Sequence, residues 1–195
     1  MSKIIAAAVL SAFAMSLSTA QYNPGSIQLG FSGSIGSRSY KTTGRYTDSG
    51  SLKVFYLGVS PSLYLAKGFS IDPEVMFSAS KGLPPAWHFL ANLSYTHAIE
   101  GSKVAPFIRA GYGVSNGMPA LIGDTYIVKT AEELDVVVLN VGGGAKFLIA
   151  ESVILRAEIN YRNYGWTSHF GPSYSLDYSN DDFGLLVGFS IIIAD

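Results

Sequence analysis

Residues 181–194 read Asp-Asp-Phe-Gly-Leu-Leu-Val-Gly-Phe-Ser-Ile-Ile-Ile-Ala. In an extended chain, Phe183, Leu185, Val187, Phe189, Ile191 and Ile193 fall on one face. Gly184, Gly188 and Ser190 fall on the other. Alternation with period two marks a strand whose two faces meet different surroundings. The pattern recurs through the chain and predicts about eight such strands.

The other seven lie at about 26–36, 52–65, 69–79, 86–98, 103–115, 134–149 and 153–164. In 153–164, for example, Val153, Leu155, Ala157, Ile159 and Tyr161 oppose Arg156, Glu158, Asn160 and Arg162. The connections alternate in length. Ala66-Lys67-Gly68, Glu100-Gly101-Ser102 and Ala150-Glu151-Ser152 are short, whereas about 37–51, 80–85, 116–133 and 165–181 are longer. Short turns at one end and long loops at the other are the habit of outer-membrane barrels. An even number of strands returns both termini to the short-turn side.

The first twenty residues predict a cleaved secretory signal. Lys3 is followed by the apolar run from Ile4 to Leu17, and Ser18-Thr19-Ala20 is a small-x-small site before Gln21. The alternative, an N-terminal anchor, needs about 20 apolar residues, more than the run supplies. The expected organisation is therefore a signal over 1–20 and a barrel over 21–195. The rest is long enough for one domain.

Only 14% of residues are charged, against roughly 25% in soluble domains. No apolar stretch after residue 20 is long enough for a spanning helix. Dispersal of apolar residues by alternation reconciles these facts in a membrane barrel. A soluble lipocalin-like barrel or a sandwich also alternates, with its apolar face inward. Three features favour the membrane. The polar face is rich in Gly and Ser, which fit a narrow lumen. Aromatic residues gather near strand ends, at Phe69, Trp87, Tyr95, Tyr161, Tyr164, Trp166 and Phe183, as in interfacial girdles. The loop lengths are asymmetric. Against it, Pro61, Pro73 and Pro106 sit inside strands of a barrel that has no free edge, which predicts bulges or local fraying there. Leu90, Leu148, Leu186 and Ile192 would face the lumen.

Ala105-Pro106-Phe107-Ile108-Arg109-Ala110-Gly111-Tyr112-Gly113 and Asn140-Val141-Gly142-Gly143-Gly144-Ala145-Lys146-Phe147 resemble the fifth and sixth strands of small outer-membrane barrels. These are the OmpA/OmpX-like, opacity-type "porin family". The resemblance spans residues 22–194 and implies an all-β, eight-stranded antiparallel up-and-down barrel. It also implies export to the outer membrane, lipid around the barrel and insertion by the barrel-assembly machinery. Such chains usually end in an aromatic residue; this one ends Ile193-Ala194-Asp195.

Asp72, Glu74, Arg109, Lys146, Arg156, Glu158 and Arg162 are expected to face the lumen. Unpaired charges there would be costly, so Arg156, Glu158 and Arg162 should pair with Glu74, Asp72, Arg109 or Lys146. The arrangement suits a structural ionic plug. A polar pathway for a small solute and acid–base use of Asp72 and Glu74 are the alternatives.

His88, His97 and His169 are too dispersed for a shared metal, and Ser168-His169 alone defines no triad. Gly142-Gly143-Gly144 lacks the Lys-Ser/Thr and following helix of a phosphate loop. No Cys is present for disulfide or thiolate chemistry, and a net charge of −1 with no basic patch points away from nucleic acid. No cofactor, metal or catalytic residue is expected. Tyr40, Tyr46, Tyr126, Tyr174 and Tyr178 place adaptable contact residues in the loops. The expected function is non-enzymatic, a structural or surface-interaction role with a possible surface ligand. A narrow channel for small or apolar solutes is the alternative, and a lipid-modifying enzyme the third.

Overall fold

A computed structural model describes residues 22–43, 48–81, 83–122, 125–130, 136–169 and 175–194. The predicted signal and its cleavage site lie outside them. The strands are β1 (Ile27–Thr43), β2 (Asp48–Ala66), β3 (Phe69–Ser80), β4 (Leu83–Thr96) and β5 (Val104–Ser115). After a separate hairpin of β6 (Gly117–Ile122) and β7 (Thr125–Thr130) come β8 (Val136–Ala150), β9 (Val153–His169) and β10 (Ser175–Ala194). Eight of them close an antiparallel barrel in the order β1-β10-β9-β8-β5-β4-β3-β2. β10 closes it against β1, with Phe31 opposite Phe189 and Ile35 opposite Leu185.

The two faces decide what the barrel stands in. Leu93, Ile108 and Leu185 are 67%, 66% and 59% exposed on the outside. Arg38, Glu74 and Glu158 are each 1% exposed inside. Apolar outward and polar inward is the inverse of a lipocalin, and only a hydrocarbon surround favours it. The fold is therefore a transmembrane β-barrel. Aromatic pairs stand near both ends of the wall. Phe69 meets Tyr95 in a tilted pair at 4.6 Å between centroids towards the short turns, and Phe77 meets Trp87 at 5.2 Å towards the long loops. Tyr161 and Phe183 face each other on the outside of β9 and β10.

Several expectations are corrected. The proposed loops 37–51 and 165–181 are largely strand, because β1, β2, β9 and β10 run on past the apolar band. There both faces are polar, and period two leaves no mark. The proposed loop 116–133 contains the β6–β7 hairpin. Tyr164 does not belong to an aromatic girdle; it is fully buried in the lumen, two residues beyond Arg162 on the same face. Trp166 lies in β9 with its side chain outside the described residues.

Of the bulges or local fraying expected at the prolines, Pro61 and Pro73 show fraying without a bulge. Pro61 and Pro73 oppose one another: Val59 pairs Val75, Leu63 pairs Ile71, and the three residue pairs between them are missing from the ladder. Each proline deletes the donor the other would have accepted. Register is the same on either side, and Pro73 still pairs Ala91 on β4. Pro106 keeps its pairing with Ala145, and its carbonyl accepts from His97 N. Bulges lie elsewhere, between Tyr64 and Ala66, Ser78 and Ser80, and Leu148 and Ala150.

Candidate functional site

The lumen is the one place where polar chemistry is concentrated away from water, and its side chains form three layers. The layer nearest the short turns is mainly apolar. Tyr22, Tyr64, Ala105 and Ile154 pack together with Ala98, Leu148 and Ile192 around them. The segment before β1 is tied in by its backbone: Gly68 N donates to Tyr22 O, Gly25 N to Tyr64 O, and Tyr64 N to Ser26 O. Burial, with Tyr64 beside it, pushes the Tyr22 hydroxyl well above the usual tyrosine range. Lys146 sits above this layer, in no ion pair among the described residues. Its Nζ donates to Tyr64 OH at 2.8 Å and Thr96 Oγ1 at 3.2 Å. It also lies 5.3–5.7 Å from the ring centres of Phe107, Tyr64 and Tyr22, so aromatic faces take the place of a counter-ion.

The middle layer is a closed ring of side-chain contacts drawn from five strands. Arg109 from β5 donates through Nη1 to Glu74 Oε2 at 2.9 Å and through Nε to Glu158 Oε1 at 2.7 Å. Asn160 Nδ2 donates to Glu158 Oε1 at 3.1 Å and to Asn140 Oδ1 at 2.6 Å. Asn140 Nδ2 donates to Asn92 Oδ1 at 2.6 Å, and Asn92 Nδ2 returns to Glu74 Oε2 at 3.4 Å. Arg156 Nε joins Glu158 Oε2 at 3.7 Å, and Ser94 Oγ bonds Asp72. Such a connected network is stiff, and removing one member strands its neighbours.

Glycines make room for it. A Cβ at Gly142 would lie 2.3 Å from Glu158 Oε1, and one at Gly111 would lie 2.2 Å from Asn92 Oδ1. The Gly run around 142–144 therefore serves close packing of strands and network.

The third layer lies towards the long loops. Arg38 pairs with Asp182 at 3.4 Å, and the Tyr56 hydroxyl touches both. Arg38 stacks 4.4 Å from the Tyr164 ring centre, and Arg162 4.8 Å from that of Tyr56. His88 is fully buried between these rings, 5.9 Å from Tyr56 and 5.5 Å from Tyr164. Its Nε2 meets Ser78 Oγ at 2.8 Å.

All seven charged residues singled out from the sequence lie buried in the lumen. The structure brings Glu74, Arg109, Arg156 and Glu158 into ion-paired contact. Asp72 takes a serine instead of a cation, Lys146 takes hydroxyls and rings, and Arg162 has no ion pair among the described residues. Of the expected pairings, Glu158 takes Arg109 and Arg156, whereas Arg162 has no acid in ion-pair contact and Lys146 and Asp72, offered as alternative partners, enter no ion pair among the described residues. Arg38 and Asp182 were not anticipated. Both fall on the lumen parity of their strands, Arg38 four residues beyond Ser34 and Asp182 two before Gly184.

Among the described residues no group of His, Cys, Asp and Glu could hold a metal. The outer wall carries a shallow apolar depression of about 590 Å³ over small Ala110, edged by Phe69, Leu93, Ile108 and Val141. It forms part of the lipid-facing surface.

Neither a protein-family model nor a curated protein matches the chain. Solved structures do. The outer membrane protein OprG from Pseudomonas aeruginosa aligns with 90% of this chain and 99% of its own, at TM-score 0.53 and 11% identity. The outer membrane protein AlkL, determined in lipid bilayers, aligns with 89% of this chain and 92% of its own, at TM-score 0.53 and 15% identity. Neisserial surface protein A aligns with 83% of this chain and 96% of its own, at TM-score 0.50 and 14% identity. The outer membrane protease OmpT from Escherichia coli aligns at TM-score 0.50 and 9% identity. At these identities the likeness is one of fold, and one fold carries surface proteins and an enzyme alike. The chain has the closed eight-stranded fold of the small outer-membrane β-barrels.

Proposed function

We propose that the chain is a non-enzymatic outer-membrane protein with a structural or surface-interaction role, exported by a signal over residues 1–20 that is cleaved after Ala20. The closed ring of Glu74, Asn92, Asn140, Asn160, Glu158 and Arg109 carries this reading. It spans the lumen from β3 to β9 with paired groups and supports a filled barrel in place of a water lane. Lipid is the partner of the apolar wall, and the barrel-assembly machinery the partner during insertion. The surface for a ligand is the long-loop end, where β6–β7 and the extended ends of β1, β2, β9 and β10 stand. No nucleic acid, metal or cofactor enters the reading.

The competing reading is a narrow channel, favoured by the unpaired donors in the layer nearest the long loops. A hydrolase reading would rest on Ser78 and His88. That pair is fully buried, and His88 Nδ1 has no carboxylate to orient it among the described residues. Planar-bilayer recording on the purified full-length protein decides between the first two. Silence, or rare flickers without solute preference, is expected. Stable, solute-selective conductance would overturn the closed-barrel reading.

A further inference from the structure

Among the described residues, the layer nearest the long loops has more cations than acids. It holds Arg38 and Arg162 against Asp182. Across the whole described lumen the buried charged side chains are Arg38, Arg109, Lys146, Arg156 and Arg162 against Asp72, Glu74, Glu158 and Asp182, so cations exceed acids by one. Arg38 is engaged by Asp182 and the Tyr56 hydroxyl. Lys146 and Arg162 are the two cations without an ion pair among the described residues; Lys146 donates to Tyr64 and Thr96, whereas Arg162 keeps unmatched donors.

Arg162 is 2% exposed, and its Nε and Nη2 meet no hydrogen-bond acceptor among the described residues. Its guanidinium lies against the Tyr56 ring, which contributes a quadrupole and no lone pair in the plane of the N–H groups. Three further polar atoms in the same layer also lack partners: Tyr164 OH, His88 Nδ1 and Arg38 Nε. Ring contacts hold these groups together. His88 is 5.5 Å from Tyr164 and 5.9 Å from Tyr56, and Arg38 stacks on Tyr164 at 4.4 Å.

Every one of these unsatisfied atoms can donate. The guanidinium nitrogens can do nothing else, the tyrosine hydroxyl carries a proton, and His88 Nδ1 carries one when Nε2 accepts from Ser78. Buried donors without partners call for an acceptor. A water molecule would satisfy hydrogen bonds but leave the excess charge in place. A small anion does both, and the rigid Nε–Nη2 edge of an arginine is suited to hold one.

We propose that the layer nearest the long loops is a binding site for a small inorganic anion of halide type. The Nε–Nη2 edge of Arg162 holds the ion, and Tyr164 OH and His88 Nδ1 complete the donor set. Arg38 stays with Asp182 and adds positive potential from the side. The alternative arrangement turns Arg162 towards the middle layer, where Glu74 Oε1 lacks a partner. That arrangement makes the position indifferent to anions.

The test uses the purified full-length barrel in detergent, with chloride as the probe and gluconate holding ionic strength constant. Chloride NMR line width and the thermal midpoint are followed as chloride replaces gluconate. The wild-type protein should broaden the chloride line and gain thermal stability, both saturably. Arg162→Gln should abolish both effects. Tyr164→Phe removes one hydroxyl from a folded lumen and should weaken chloride binding about fivefold, the worth of one ordinary hydrogen bond. Lys103→Gln, exposed at the other end, should behave as wild type. If Arg162→Gln does not fold, Tyr164→Phe carries the test alone. No saturable chloride effect in the wild type, or one that Tyr164→Phe leaves unchanged, overturns the proposal.

Discussion

The middle layer of the lumen and the layer nearest the long loops both bury polar atoms without hydrogen-bond partners, among them Glu74 Oε1 and Arg109 Nη2 in the first and Arg162 Nε and Nη2 in the second, but they differ in how their cations are met. In the middle, Arg109 divides its donors between Glu74 and Glu158, and three asparagines close the circuit. One level further out, Arg162 rests on an aromatic face with two donors unmatched. Burial is equally deep in both, so it does not explain the difference. Supply does: the middle layer has Asp72, Glu74 and Glu158 within its strands, and the outer one has Asp182. A charged lumen becomes a structural plug where each cation meets an acid, as Arg109 and Arg156 do. It keeps binding capacity where a cation does not.

Breaking the middle layer should cost most. Glu158→Ala leaves Arg109 with one carboxylate and Arg156 with none in contact. It should destabilise the barrel by roughly 3–5 kcal/mol, the usual cost of stranding a buried charge. Urea titration of the barrel in vesicles, read by heat-modifiable migration, measures it. A midpoint equal to wild type would mean that these groups are solvated and the layer is no plug.

A smaller effect is expected from crowding the same ring without removing a charge. Gly142→Ala places a methyl 2.3 Å from Glu158 Oε1 and 3.1 Å from the carbonyl of Ile159. The carboxylate must shift away from Arg109, at a cost of about 1–3 kcal/mol for overpacking. The same titration reads it. Additivity with Glu158→Ala would break the comparison, since the methyl is expected to act through that carboxylate and the double mutant to fall short of the sum.

The smallest effect belongs to the layer nearest the long loops. With gluconate as the sole anion, Arg162→Met should equal or exceed wild type in stability by no more than about 1 kcal/mol, because an unmatched buried cation carries a desolvation cost that its contact with the Tyr56 ring largely offsets. A loss as large as that of Glu158→Ala would show that Arg162 has an acid partner after all, and the contrast between the layers would vanish.

Much of the barrel was legible from single residues. Arg156, Glu158, Asn160 and Arg162 alternate with Leu155, Ile159 and Tyr161, and that alone put them on one face. The same rule could have moved Tyr164 inward, since it follows Arg162 by two; its proximity to a strand end suggested a girdle instead. Arg38 and Asp182 were harder. They sit where β1 and β10 leave the apolar band, so neighbours on both faces are polar and the alternation carries no contrast. The hairpin β6–β7 was hidden for the opposite reason: Ala120, Leu121 and Ile122, and Tyr126, Ile127 and Val128, are apolar at successive positions, so period two again shows no contrast.

The sequence by itself determined the strand parity, the short turns and the count of eight, because each follows from local residue order and from the need of every backbone group for a partner. It also determined that Asp72, Glu74, Arg109, Lys146, Arg156, Glu158 and Arg162 face inward, but not Arg38 and Asp182. Which of them meet was decided only by tertiary structure. Ion pairing depends on the stagger of strands around the closed barrel, which brings Arg109 to Glu158 although 49 residues separate them. The inverted apolar surface was decided there as well. Alternation is the same whether the apolar face points in or out, and only closure with the charged face inside tells a membrane barrel from a soluble one.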